Sequence, residues 1–67
     1  MSRPGDGEVY FEHIVIGNVT KCTAIDATTG VEAAVSGPAN SPPEHLRMLA
    51  LRALKRRLAA MSDERSS

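Results

Sequence analysis

The stretch "SGPANSPPEHLRMLALRALKRRL", Ser36 to Leu58, is the strongest constraint on what this chain can become. It changes from loop residues to helix formers in one step. Gly37, Pro38, Pro42 and Pro43 are expected to stop any strand that precedes them. Ser41 followed by Glu44 reads as a capping box, with Pro42 at the first helical position. From there to about Met61 every residue tolerates a helix, and Ala and Leu dominate. That predicts a helix of about 27 Å.

The helix is apolar on more than one side. At about 100° per residue, Leu46, Leu49, Ala50, Ala53 and Ala60 form one stripe. Leu51, Leu54 and Leu58 form a second beside it, so the apolar arc spans roughly 200°, about twice what a surface helix needs. His45, Arg52, Lys55 and Arg56 gather on the polar face.

Upstream, "EVYFEHIVI" (Glu8 to Ile16) is rich in β-branched and aromatic residues and reads as a strand. Gly17-Asn18 supplies a two-residue turn, and "VTKCTAID" (Val19 to Asp26) is the return strand. "ATTG" then turns the chain with Gly30 in a left-handed position, and "VEAAVS" (Val31 to Ser36) is a third strand. These loop lengths imply a register, although a bulge in the second loop would flip the facing of the third strand. Ile16 pairs with Val19, Val15 with Thr20, His13 with Cys22 and Phe11 with Ala24; Asp26 pairs with Val31, Ala24 with Ala33 and Cys22 with Val35. One face then carries Val9, Phe11, His13, Val15, Cys22, Ala24, Val31, Ala33 and Val35, and is the expected core face. The other carries Glu8, Glu12, Lys21, Thr23 and Glu32, but also Tyr10, Ile14, Ile16, Val19 and Ile25. The expected fold is α+β: a three-stranded antiparallel meander and one C-terminal helix, β-β-β-α, as a single domain over residues 8–61 between tails at 1–7 and 62–67.

A chain of 67 residues is short of core. Domains near this size bury only about 60 % of their unfolded surface and lean on disulfides, a metal or a partner. Cys22 is the only cysteine, so no internal disulfide can form, and a reducing, cytoplasmic setting is expected. "MSRPGDGE" has no apolar run, so neither a signal peptide nor a membrane anchor is expected there. A partner chain is the remaining helper. The second helical stripe is its expected seat: a homodimer through Leu51, Leu54 and Leu58 with Met48, in a side-by-side form or with the helix swapped onto a neighbour's sheet.

The run "GEVYFEHIVIGN", then "CTAIDATTGVE", then "SGPAN" before an Ala/Leu/Arg helix resembles a family of short alphaproteobacterial proteins of unknown function across residues 7–58. The resemblance implies a small β-then-α domain and transfers no catalytic residue. The three strands and basic helix also resemble, more distantly, the C-terminal part of a double-stranded-RNA-binding domain. Such domains grip phosphates with lysines at the helix start. Here that place reads Pro42-Pro43-Glu44-His45, and the fold's first helix is missing.

Charge balances overall, eight basic against eight acidic residues, but unevenly along the chain. Arg3 and Lys21 against Asp6, Glu8, Glu12, Asp26 and Glu32 leave residues 1–43 at −3. Arg47, Arg52, Lys55, Arg56, Arg57 and Arg65 against Glu44, Asp63 and Glu64 leave residues 44–67 at +3. This permits a nucleic-acid surface on Arg52, Lys55, Arg56 and Arg57, and equally permits one half to dock on the other or on a second copy. His13 opposite Cys22 invites a thiolate–imidazolium reading, but with no third group and no glycine-rich oxyanion loop it points to packing. His13, Cys22 and His45 are too scattered for a zinc signature. The expected function is a homodimeric structural or protein-interaction (adaptor) module. Its alternative is a weak nucleic-acid binder; no catalytic, cofactor or metal site is expected.

Overall fold

The structure, a computed structural model, describes residues 8–66, with side chains described through Met61. The expected tail at 1–7 lies outside the described residues, as does Ser67. Three strands, β1 (Val9–Ile16), β2 (Val19–Asp26) and β3 (Glu32–Pro38), precede one helix, α1 (Pro43–Ser66). The strands form an antiparallel sheet in the order β1-β2-β3, so the fold is α+β as expected.

Turn chemistry sets the register. Gly17 sits at φ 59° while Asn18 stays at negative φ, the arrangement of a type II′ hairpin turn, whose twist matches that of its strands. It pairs Ile16 with Val19, His13 with Cys22 and Phe11 with Ala24. The second turn is held by Asp26. Its carboxylate oxygen Oδ2 accepts from the Thr29 amide at 3.0 Å and from the Thr29 hydroxyl at 2.6 Å. That hydroxyl oxygen in turn accepts from the Val31 amide at 3.2 Å. Gly30, at φ 78°, donates its amide to the Asp26 carbonyl at 2.8 Å. The resulting register, Ala24 with Ala33 and Cys22 with Val35, is the one the four-residue loop predicts.

β3 does not stop at Ser36. It continues through Gly37 to Pro38, and the Ala39 amide still reaches the Asn18 carbonyl at 2.8 Å. The prolines were expected to break it. On an edge strand, however, a proline whose missing N–H would point outward removes no ladder bond. Gly37 sits in tight quarters: a Cβ there would meet Ser41 Oγ at 3.0 Å and Leu46 Cδ2 at 3.2 Å, so both side chains would have to give way.

The cap also differs from the expected one. The Pro42 carbonyl accepts from the His45 and Leu46 amides, so Pro43 is the first helical residue and Pro42 occupies the cap position. Ser41 therefore lies one residue too early for a capping box with Glu44. Glu44 still places a carboxylate in the first turn, where the helix dipole favours it. At the other end the helix runs past Met61 to Ser66, so the expected C-terminal tail is helical over residues 62–66.

The helix lies over β2 and β3. Cys22, Ala24, Leu46, Ala50 and Leu54 form the fully buried core, and Val9, Phe11, Val31, Ala33, Val35 and Leu58 pack around them. Leu46, Ala50, Leu54 and Leu58 recur every four residues and make the stripe that meets the sheet. The small side chains of Ala24 and Ala50 let helix and sheet approach closely. Thus the expected core face is the one covered, but only in part. His13 and Val15 lie on that face and are exposed, because their halves of β1 extend beyond the helix.

Candidate interaction surface

The expected helical interface does not survive intact. Leu54 has 0 % of its surface exposed, and Leu58 packs against the same core, so both are used by the chain's own sheet. The two leucine stripes were assigned the wrong way round at this point: the line from Leu46 to Leu58 cuts across both. Of the four residues expected to face a partner, Leu51 is half-buried and Met48 stays largely exposed.

The exposed apolar surface lies elsewhere. Among the described residues, the large apolar side chains left in water are Tyr10, Ile14, Val15, Ile16 and Val19 in the β1–β2 hairpin, and Met48 and Met61 on the helix. Ile16 is 73 % exposed, Val15 62 % and Tyr10 57 %. Their strand alternates faces, so Val15 projects on the helix side while Tyr10, Ile14 and Ile16 project on the other. Glu8 lies beside the Tyr10 hydroxyl, and its hydrogen bond and negative charge push the phenol pKa above its ordinary value.

Among the described residues, β1 also has a neighbour on one side only. The Ala27 amide donates to the Glu8 carbonyl at 3.0 Å, and the Thr20 hydroxyl reaches the Ile14 carbonyl at 3.4 Å. Even-numbered residues of this strand therefore turn their backbone groups toward β2. In an antiparallel ladder the alternate residues, Val9, Phe11, His13 and Val15, turn theirs outward. The outer edge of β1, its lower face and the helix-side positions His13 and Val15 are thus uncovered together, while Val9 and Phe11 pack against the core. The signal was legible in the mixed outer face of "EVYFEHIVI"; what sequence reasoning missed is that the helix would sit off-centre and leave this strand bare.

The remaining candidates are not brought together. His13 and Cys22 are cross-strand partners, but Cys22 is completely buried while His13 is in solvent. Burial pushes the Cys22 thiol pKa up, opposed by the Arg47 charge, so the thiol is held in its protonated form. Arg52, Lys55, Arg56 and Arg57 are all exposed. Arg56 and Arg57, however, lean to the β3 side, where with Ala33, Ala34, Ala53 and Ala60 they border an open depression of about 370 Å³. Among the described residues no His, Cys, Asp or Glu cluster could hold a metal ion, and no helix is long and apolar enough to cross a membrane.

Compared with known proteins, residues 6–61 match the family model described as a domain of unknown function (DUF6898). No curated protein matches the chain, and no solved structure does.

Proposed function

Because the chain belongs to this family of domains of unknown function, we propose its role from its surface: a small homodimeric protein-interaction module that associates through β1. The observation that carries this reading is the coincidence of Tyr10, Val15 and Ile16, all more than half exposed, on a strand with a free backbone edge. On one face of the β1–β2 hairpin Ile14, Ile16 and its cross-strand partner Val19 adjoin; exposed apolar groups scattered singly need no explanation, but an adjoining set does. The small core adds motive. Its fully buried members include only two leucines, beside two alanines and a cysteine, so further apolar burial would stabilise a chain of this length.

The interface is therefore assigned to β1 rather than to Leu54 and Leu58. Leu51 and Met48 flank it at most. A swapped helix is not part of the proposal. No catalysis and no cofactor are proposed, and a buried, protonated thiol supports that. A cytoplasmic setting and the alphaproteobacterial source belong to the same proposal, the first resting on the unpaired Cys22.

The test is solution mass by light scattering at two concentrations about tenfold apart. Mass approaching twice 7.2 kDa as concentration rises supports the module; 7.2 kDa at both concentrations rejects it. The second reading, nucleic-acid binding, draws on the exposed Arg52, Lys55 and Arg56. It predicts affinity for duplex or single strands that falls steeply with salt, and binding that is absent or indifferent to salt rejects it.

A further inference from the structure

We infer that the occupant of the β1 edge is the β1 strand of a second copy, antiparallel, with a two-fold axis passing at His13. The result is one continuous six-stranded sheet. The inference rests on the homodimer reading above and adds the surface, direction and register.

Water can satisfy a lone edge, but among protein partners another strand is what pairs a whole row of outward N–H and C=O groups. Two copies of the same strand can do so about a two-fold axis only if outward residues face outward residues. The axis must then pass at a residue, and four positions along the strand are worth comparing. At Glu12 it sets two carboxylates directly opposite each other, at the closer, non-hydrogen-bonded spacing, where like charges destabilise. At Phe11 it leaves Val15 and Ile16, the most exposed side chains, without a strand partner. At Ile14 it sets Tyr10 and Phe11 against the turn residues Asn18 and Gly17.

At His13 the strand complements itself. Phe11 faces Val15 and Tyr10 faces Ile16, each pair occurring twice, and these aromatic–β-branched pairs are favourable cross-strand neighbours. Glu12 faces Ile14, so no carboxylate meets another. The side chains most exposed in the single chain become those the pairing covers. Directly opposite residues share a face, so both helices fall on the same side of the joined sheet. Each lies over its own β2 and β3 and leaves the seam unobstructed. The pairing is also closed. A β1-to-β3 contact would propagate as an open fibre, but β3 ends its outer edge at Pro38, which has no amide to offer.

The experiment uses the full chain with Cys22→Ala and either His13→Cys or Val9→Cys, each exposed to a mild oxidant, beside light scattering of the unaltered protein. Opposed hydrogen-bonded residues lie with Cα atoms about 5.5 Å apart, within disulfide range. Cys22 is removed because it is the cross-strand partner of residue 13 and would capture the new thiol within the chain. The expected result is a dimeric mass, rapid covalent dimer from H13C, and at least tenfold slower crosslinking from V9C. An unaltered protein that is dimeric, with H13C crosslinking no faster than V9C, overturns this register while the homodimer stands. An unaltered protein that stays at the mass of one chain overturns both.

Discussion

The two edges of this small sheet are built to opposite specifications. β3 is Glu-Ala-Ala-Val-Ser-Gly-Pro: small side chains, a glycine under the helix and a proline at the end. The helix lies over it, and Arg56 and Arg57 border a depression beside Ala33 and Ala34. Those are the devices by which proteins blunt a strand edge. β1 is Val-Tyr-Phe-Glu-His-Ile-Val-Ile, without glycine, proline or bulge, and most of it lies outside the helix. Its one charged guard within the strand is Glu12. This contrast between a guarded edge and an apolar one is what the proposed association through β1 would use. Net charge does not reveal this; the position of the helix does.

Substitutions can break or sharpen that contrast. The largest effect is expected at the clamp that holds the helix over β2 and β3. Leu54→Ala should cost about 2–5 kcal/mol of folding stability, read by urea denaturation; a loss under about 1 kcal/mol would mean the helix is not seated as described. Next, His13→Pro should give β1 the kind of edge that β3 has at Pro38. Its amide points outward, so the fold should persist by circular dichroism while association weakens at least tenfold. Conversely, Pro38→Val should restore a donor to β3 and produce masses above the dimer at high concentration. An unchanged mass distribution would show that Pro38 is not what guards that edge.

Smaller effects concern Cys22. Its thiol should resist alkylation in the native protein and react only on unfolding. Because folding raises its pKa, the linked stability is present below the thiol's ordinary value of 9.0 and is lost as pH rises through the higher folded value. Denaturation midpoints should therefore slip only above about pH 9. Smallest of all, Lys55→Glu on the outer helix face should leave the solution mass unchanged; a mass change would bring the helix back into the interface.

Much of the architecture was legible in the chain because turns dictate registers. Gly17-Asn18 and the Ala27–Gly30 loop each have a length that permits one pairing, and alternation then assigns every strand residue to a face. Helical periodicity was less decisive. With leucine at 46, 49, 51, 54 and 58, more than one line can face a sheet, and the choice depends on where small residues allow close approach. Ala50 settles it in favour of Leu46-Ala50-Leu54-Leu58. The extension of β3 through Gly37 and Pro38 was hidden for a related reason. A proline ends a central strand but can close an edge strand, and only the sheet order says which strand is the edge. Nor does composition announce that Asp26 organises the second turn, since any Asp in a loop could do so. The off-centre helix, which decides what β1 exposes, follows from tertiary packing alone.

Residue-resolved amide hydrogen exchange at two protein concentrations about tenfold apart is the most direct test of the central claim. The prediction is selective: at the higher concentration the Phe11, His13 and Val15 amides should slow together, while the already paired amides of β2 change little. Phe11, His13 and Val15 exchanging equally fast at both concentrations, in a protein shown to be dimeric, would contradict β1 as the seam.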